Sequence, residues 1–255
     1  MSGAPSLHEL ATHFGSAADA YERGRPEHPP EVVGRLRAEL GLGDGATVLD
    51  LGAGTGKLTK GLVEAGLDVV AVEPLDAMRA LLAERVPGAN VLAGQAERIP
   101  LPDGSVAAVT VADAFHWFDA RPALAEIRRV LRPEAGLATL NALPDWNRLE
   151  VGNAIAAHIH STRPEHPYFD GPSFAERVRA ASGWEEPRET VVSVVRPAGA
   201  EGIVAYLASI SFVAGMPEGD RTAWLAEVAD LLEGTEVPAA LPFDFRIGIT
   251  RTVGR

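Results

Sequence analysis

Short apolar runs rich in β-branched residues alternate with helix-patterned segments through residues 48–140 of the chain. Such alternation is typical of a parallel sheet whose strands are joined by crossover helices. The helical stripes include Leu124, Ile127 and Leu131, which recur at the spacing of one helix face. The runs that we predict as buried strands are residues 48–51, 69–72, 90–92, 106–111 and, after a break at Pro133 and Gly136, 137–140.

The rest of the chain continues the pattern after an interruption. Residues 190–195 and 245–253 are predicted as two further strands, which brings the predicted sheet to seven. Residues 144–185 interrupt the rhythm, and we interpret them as a helical cap inserted into the fold. Because no linker or repeat separates two halves, we expect one domain over residues 1–255.

Composition excludes several classes of chemistry. The chain has 255 residues, a formal net charge of −12 and no cysteine, so thiolate nucleophiles and Cys-ligated metals are excluded and nucleic acid is a poor partner. His158 and His160 would point about 200° apart on a helix and cannot share an ion, so we expect no metal. The start lacks signal-peptide features and no apolar run is long enough to span a bilayer, which favours a cytoplasmic protein.

The first predicted strand runs directly into three glycines, Gly52, Gly54 and Gly56, and then into a predicted helix. Glycines at this position allow unusual backbone angles and let a ligand approach the main chain. A phosphate-binding P-loop would need glycine at Leu51 and a hydroxyl at Leu58, so that motif fails twice. A dinucleotide fingerprint would need its third glycine at Lys57, which weakens that interpretation but leaves an NAD-dependent oxidoreductase as an alternative.

Carboxylates accompany these glycines at the ends of the predicted strands. Asp50 precedes the glycines and suits a ligand with an ammonium group better than a pyrophosphate. Glu73 ends the second predicted strand, where a carboxylate can accept hydrogen bonds from both hydroxyls of a ribose. Gln95, Ala96 and Glu97 follow the third predicted strand, at the next position along the same edge, where an adenine ring could lie.

These residues together resemble the class I S-adenosylmethionine-dependent methyltransferases. The resemblance implies an α/β fold: a doubly wound, mostly parallel seven-stranded sheet of the Rossmann-like methyltransferase type, with an antiparallel last strand and a small helical cap. It also implies S-adenosylmethionine as cofactor, although the family often has Asp where Gln95 stands. The implied cofactor-binding residues are Asp50, Gly52, Ala53, Gly54, Gly56, Glu73, Pro74, Gln95, Ala96, Glu97, Asp113 and Ala114.

Two further segments are similar to the small-molecule branch that includes trans-aconitate-type carboxyl methyltransferases. They are the spaced residues Phe14, Tyr21, Arg25, Pro26 and Pro29, and residues 115–119, Phe-His-Trp-Phe-Asp. This resemblance implies that residues 1–30 form a lid over the cofactor, with Tyr21 and Arg25 near its methionine carboxylate.

The expected reaction is methyl transfer from S-adenosylmethionine to a small-molecule acceptor. His116, Trp117 and Trp146 are the candidate substrate-binding residues, and His116 is also the candidate catalytic base. The acceptor atom stays open among a carboxylate, a phenol, an amine and a carbon acid. A non-catalytic module that binds S-adenosylmethionine is a second alternative to the enzyme.

Overall fold

A computed structural model describes residues 24–25, 27–237 and 239–253 of the chain. The strands, in chain order, are β1 (Thr47–Leu51), β2 (Asp68–Glu73), β3 (Asn90–Ala93), β4 (Val106–Ala112), β5 (Leu131–Pro144), β6 (Arg188–Pro197) and β7 (Ala240–Arg251). The α-helices are α1 (Pro30–Leu40), α2 (Lys57–Glu64), α3 (Asp76–Arg85), α4 (Ala120–Val130), α5 (Gly152–Thr162), α6 (Pro167–Asp170), α7 (Phe174–Arg179), α8 (Gly199–Ala208), α9 (Ser211–Ala214) and α10 (Glu218–Leu232).

All seven strands form one sheet in the order β3-β2-β1-β4-β5-β7-β6. The pairs β1–β2, β1–β4, β2–β3 and β4–β5 are parallel, and the sheet as a whole is mostly parallel with one antiparallel strand. The predicted doubly wound α/β fold is therefore confirmed. β2 and β3 are added on one side of β1, and β4 and the later strands are added on the other side, so the strand order reverses between β1 and β4. In open α/β sheets ligands bind in the crevice at such a reversal.

Helices flank the sheet, and most residues of β1, β2 and β4 are buried. The buried strand predicted at residues 90–92 is wrong in its burial, because β3 lies at the edge of the sheet and its residues are half-buried or exposed. Leu49 and Leu51 of β1 and Val109 of β4 have almost no exposed surface, and they belong to a core that includes Leu124 and Ile127 of α4. These two α4 residues lie on the stripe that the sequence predicts, since helical spacing turns both toward the sheet.

Strand β5 begins earlier than the sequence predicts. The break expected at Pro133 and Gly136 is wrong, because β5 already starts at Leu131, which pairs with Val106 of β4. Leu131 is therefore a strand residue and not part of the α4 stripe. The register of the pair shifts between Val106 and Ala108, so the strand accommodates Pro133 at an irregular place in the ladder.

The described residues form two compact units. The larger unit comprises residues 27–142, 170–192 and 245–253, and the smaller unit comprises residues 24–25, 143–169 and 193–244 without residue 238. The boundaries fall within β5, β6 and β7. The predicted cap, residues 144–185, contains α5, α6 and α7, and its residues are divided between the units at residue 169. The single domain and the cap stay predictions.

In the smaller unit, two helices are joined by aromatic packing. Trp224 of α10 packs against His158 of α5, with ring centroids 4.7 Å apart, and donates a hydrogen bond to Thr162 at 2.8 Å. Among the described residues, no helix combines the length and the apolar character needed to cross a membrane.

Candidate functional site

The three glycines after β1 form a tight bend at the carboxyl edge of the sheet. Gly52, Gly54 and Gly56 have φ angles of +70°, +57° and +87°, a region that side-chain-bearing residues rarely adopt. The amides of Gly52 and Ala53 donate to the carbonyl of Val72 in β2, at 2.8 and 3.2 Å. The bend is therefore fixed against the end of the neighbouring strand.

The glycines differ in what surrounds them. A Cβ on Gly52 would lie 2.9 Å from the Cβ of Ala114 and 3.4 Å from the Phe118 ring, so the segment after β4 approaches the bend closely. Among the described residues, a Cβ on Gly54 would have only the Met78 sulfur within 4 Å, at 3.9 Å. The described residues thus leave the main chain open at Gly54, and its contact with a ligand stays a prediction.

Glu73 connects the bend to the start of α3. Its Oε2 accepts a hydrogen bond from the Gly54 amide and its Oε1 accepts one from the Leu75 amide, both at 2.9 Å. Burial raises the pKa of Glu73, while these two hydrogen bonds and Arg79 oppose that shift. Arg79 also donates to the carbonyls of Glu73 and Pro74, at 2.9 and 2.7 Å. Each Glu73 oxygen has a second lone pair for a ribose hydroxyl.

Asp50 is buried behind the bend, in the middle of the sheet. Its Oδ2 accepts from the Thr59 hydroxyl of α2 at 2.6 Å, and its Oδ1 accepts from the Thr110 hydroxyl of β4 at 3.4 Å. Burial raises its pKa to about 6, against the opposing effect of these hydrogen bonds. These contacts join β1 to α2 and β4. Recognition of an ammonium group by Asp50 stays a prediction.

The raised pKa of Asp50 makes stability depend on pH. A carboxyl whose folded pKa lies above its unfolded value binds more protons in the native state, so stability falls as pH rises from about 4 to about 6. We expect the wild-type free energy of unfolding to fall by about 1–3 kcal/mol more across this range than that of Asp50→Asn. Urea unfolding of both proteins at several pH values measures the difference, and parallel curves would contradict it.

The candidate adenine-binding residues lie after β3. Gln95 is exposed, Ala96 is buried, and Oε1 of Glu97 accepts a hydrogen bond from the Asp119 amide at 2.9 Å. Glu73 pairs with Ala93 in the β2–β3 ladder, so these residues follow directly beside the Glu73 end of β2. Glu97 also links this segment to the residues that follow β4.

The segment after β4 carries the second group of candidate residues. Asp113 has a φ of +49°, donates from its amide to the Leu140 carbonyl at 2.8 Å and accepts from the Asn141 amide group at 3.2 Å. A short 3-10 helix, Phe115–Trp117, follows. The half-buried rings of His116 and Trp117 lie 5.0 Å apart.

Phe115 and Phe118 bracket this short helix, and they pack edge to face with centroids 5.8 Å apart. Phe115 is a buried core residue, whereas Phe118 also approaches Gly52.

Other predicted residues belong to the smaller unit. Trp146 packs against Tyr206 of α8 with ring centroids 6.1 Å apart, and the Arg25 guanidinium lies 5.4 Å from the centre of the same Tyr206 ring. Tyr21, Phe14 and Pro26 lie outside the described residues, and so does most of the predicted lid. Among the described residues, no cluster of three or more His, Asp or Glu side chains is arranged to hold a metal ion.

His28 is a candidate that the sequence does not single out. It lies between Arg25 and Pro29, two residues of the N-terminal segment that resembles the trans-aconitate-type branch. This position in the segment is the one sequence feature that could have indicated it. Its Nδ1 atom is buried and has no hydrogen-bond partner among the residues that the structure describes. Sequence reasoning missed it because its neighbours come from distant parts of the chain.

Comparison with known proteins gives consistent matches. Residues 49–139 match the family model described as a methyltransferase domain. The chain is 38% identical over 231 residues to an uncharacterized methyltransferase of Mycobacterium tuberculosis, covering 89% of this chain and 88% of that protein.

Two solved structures show the same fold. A protein assigned as a type II methyltransferase from Anaeromyxobacter dehalogenans is 26% identical, with a TM-score of 0.59 over 90% of this chain and 97% of that one. Geranyl diphosphate methyltransferase in complex with S-adenosylmethionine is 20% identical, with a TM-score of 0.50 over 88% of this chain and 85% of that one.

Proposed function

Because the chain belongs to the class I S-adenosylmethionine-dependent methyltransferases, we propose that it methylates a small-molecule acceptor at a carboxylate oxygen. The observation that carries this proposal is the group formed by Trp146, Tyr206 and Arg25 in the smaller unit. Trp146 is a predicted substrate-binding residue, and an arginine guanidinium that lies over an aromatic ring is well suited to hold a carboxylate. The resemblance implies that Arg25 lies near the methionine carboxylate of the cofactor, and this proposal assigns it to the carboxylate of the acceptor instead.

The residues around the bend fit the cofactor. Gly54 offers an approach to the main chain without a side chain in the way, and the buried carboxylate of Glu73 has acceptor positions for a ribose. Bound S-adenosylmethionine supplies a methyl group already activated by its sulfonium. The Phe118 ring borders the same bend, with its Cζ atom 3.4 Å from the position that a Cβ on Gly52 would occupy.

A carboxylate acceptor would not require the chain to supply a general base. Carboxylates are ionised at neutral pH, so no proton has to be removed before methyl transfer. Positioning the acceptor and excluding water then account for most of the acceleration. The similarity of residues 115–119 to the trans-aconitate-type branch supports the same choice.

A second candidate is an acceptor that must lose a proton, such as a phenol or an amine. The observation that favours it is His116, which is half-buried beside Trp117 in the segment that approaches the glycine bend. Its imidazole would act as the general base.

Replacing His116 by asparagine separates the two candidates. With a panel of small carboxylic acids, phenols and amines, we expect methyl esters as products and a rate that is nearly constant from pH 6 to 9. For a carboxylate acceptor His116→Asn should keep kcat within about 3-fold, whereas loss of a general base lowers it by about 100-fold or more. Formation of S-adenosylhomocysteine and the mass of the product are the measurements. A 100-fold loss, or methyl ethers or amines as the only products, would replace the carboxylate proposal by the second candidate.

A further inference from the structure

His28 lies in the larger unit beside the residues that follow β1 and β4. Its ring packs edge-on against Phe245 of β7, with centroids 5.8 Å apart. Its backbone carbonyl lies 3.6 Å from the position that a Cβ on Gly61 of α2 would occupy. The ring and the main chain of His28 are thus both held by packing.

Charged groups of both signs act on the ring. Burial lowers the pKa of His28, and the carboxylates of Asp113 and Glu27 and a hydrogen bond with the Lys57 backbone oppose that shift. The Lys57 ammonium lowers the pKa as well, and it lies 3.6 Å from a carboxylate oxygen of Glu27. Two carboxylates are therefore among the groups that act on this ring.

The position of these residues is the one where open α/β sheets bind ligands. Lys57 is the first residue of α2, directly after the glycine bend, and Asp113 directly follows β4. The order of strands reverses between β1 and β4, so Lys57 and Asp113, which both act on His28, follow close on the two strands that border this crevice.

The Nδ1 atom of His28 needs a donor. It has no exposed surface and no partner among the described residues, and a buried acceptor without a partner is unfavourable by about 1–3 kcal/mol. A neutral imidazole accepts at one ring nitrogen and donates at the other. A cationic N–H donor forms a stronger hydrogen bond than a neutral one, and a carboxylate that acts on the same ring favours it further.

S-Adenosylmethionine carries one cationic N–H donor, the ammonium group of its methionine part. We infer that Nδ1 of His28 accepts a hydrogen bond from this ammonium group, beside the carboxylate of Asp113. His28 is then a cofactor-binding residue that fixes the methionine end against the glycine bend. This assignment concerns only the cofactor and not the molecule that receives the methyl group, so it is independent of the carboxylate proposal above.

The test compares S-adenosylhomocysteine, which keeps the ammonium group, with its deaminated analogue, which lacks only that group. We expect His28→Phe to weaken S-adenosylhomocysteine binding by about 10-fold and to leave binding of the deaminated analogue within 2-fold, as measured by titration calorimetry. His28→Gln, which restores a hydrogen-bond acceptor, should recover part of the preference for the amino compound. It also serves as the informative variant if His28→Phe does not fold.

A matched control is available in His158→Phe. Nε2 of His158 is also buried without a partner among the described residues, but it belongs to the smaller unit. We expect no change in affinity for either compound in this variant. Equal losses for both compounds in His28→Phe would overturn the inference. Unchanged affinity of His28→Phe for S-adenosylhomocysteine would overturn it as well, even if the rate of methyl transfer falls in that variant.

Discussion

Replacing Glu73 by alanine is expected to weaken binding of S-adenosylmethionine by about 10- to 100-fold at pH 7, as measured by titration calorimetry. Two effects act in the same direction. The substitution removes the carboxylate that can bind the ribose, and it removes the acceptor for the amides of Gly54 and Leu75. A net loss equal to one hydrogen bond to a charged group, about 1.5–3 kcal/mol, gives the range stated.

Glu126→Ala is the matched control for this experiment. Its Oε2 also accepts a hydrogen bond from a backbone amide, that of Ile99, at 2.9 Å, and it belongs to the same unit. Both variants lose a carboxylate that holds a loop, so both should unfold at a lower temperature. Only Glu73→Ala should lose cofactor affinity. An equal loss of affinity in both variants, or none in Glu73→Ala, would remove Glu73 from the ribose site.

Substituting Gly54 by alanine is the second change with a large expected effect. The methyl group meets no atom of the described residues closer than 3.9 Å, so the left-handed backbone, at a φ of +57°, is the main source of strain. That strain is about 1–2 kcal/mol. The methyl group would stand where the cofactor approaches the main chain, and we expect at least a 10-fold loss of affinity, a factor that corresponds to about 1.4 kcal/mol.

Gly104→Ala isolates the contribution of backbone strain. Gly104 has a φ of +59° and lies in the turn before β4. In the part of the chain that the structure describes, an added Cβ would have no neighbour within 4 Å. Thermal unfolding should show similar losses of stability in the two variants, whereas calorimetry should show reduced cofactor affinity in Gly54→Ala alone. If Gly54→Ala binds as tightly as Gly104→Ala, the bend does not contact the cofactor.

The sequence predicts the parallel part of the fold because each strand is a short apolar run that ends at a recognisable residue. Gly52 and Glu73 are predicted together for this reason, since Gly52 follows β1, Glu73 ends β2, and the carboxyl ends of these parallel strands share an edge. Leu131 is misplaced because helical spacing continues from α4 into β5, and a periodic pattern does not mark where one element ends.

Other features of the site depend on contacts between distant residues. The local sequence around Asp50 does not reveal that Thr59 and Thr110 occupy its oxygens. His28 is joined to Lys57, Asp113 and Phe245, and no short-range pattern connects these positions. Their association follows only from the order of the strands, which places the segments after β1 and β4 side by side.

The position of β7 in the sheet has a consequence for synthesis on the ribosome. β7 lies between β5 and β6 but follows both in the sequence. Until residues 240–251 have left the exit tunnel, β5 presents an open edge and β6 has no neighbour to join. The nascent chain therefore cannot complete its sheet before β7 has been made, and during that interval its strand edges are open to pairing with other chains.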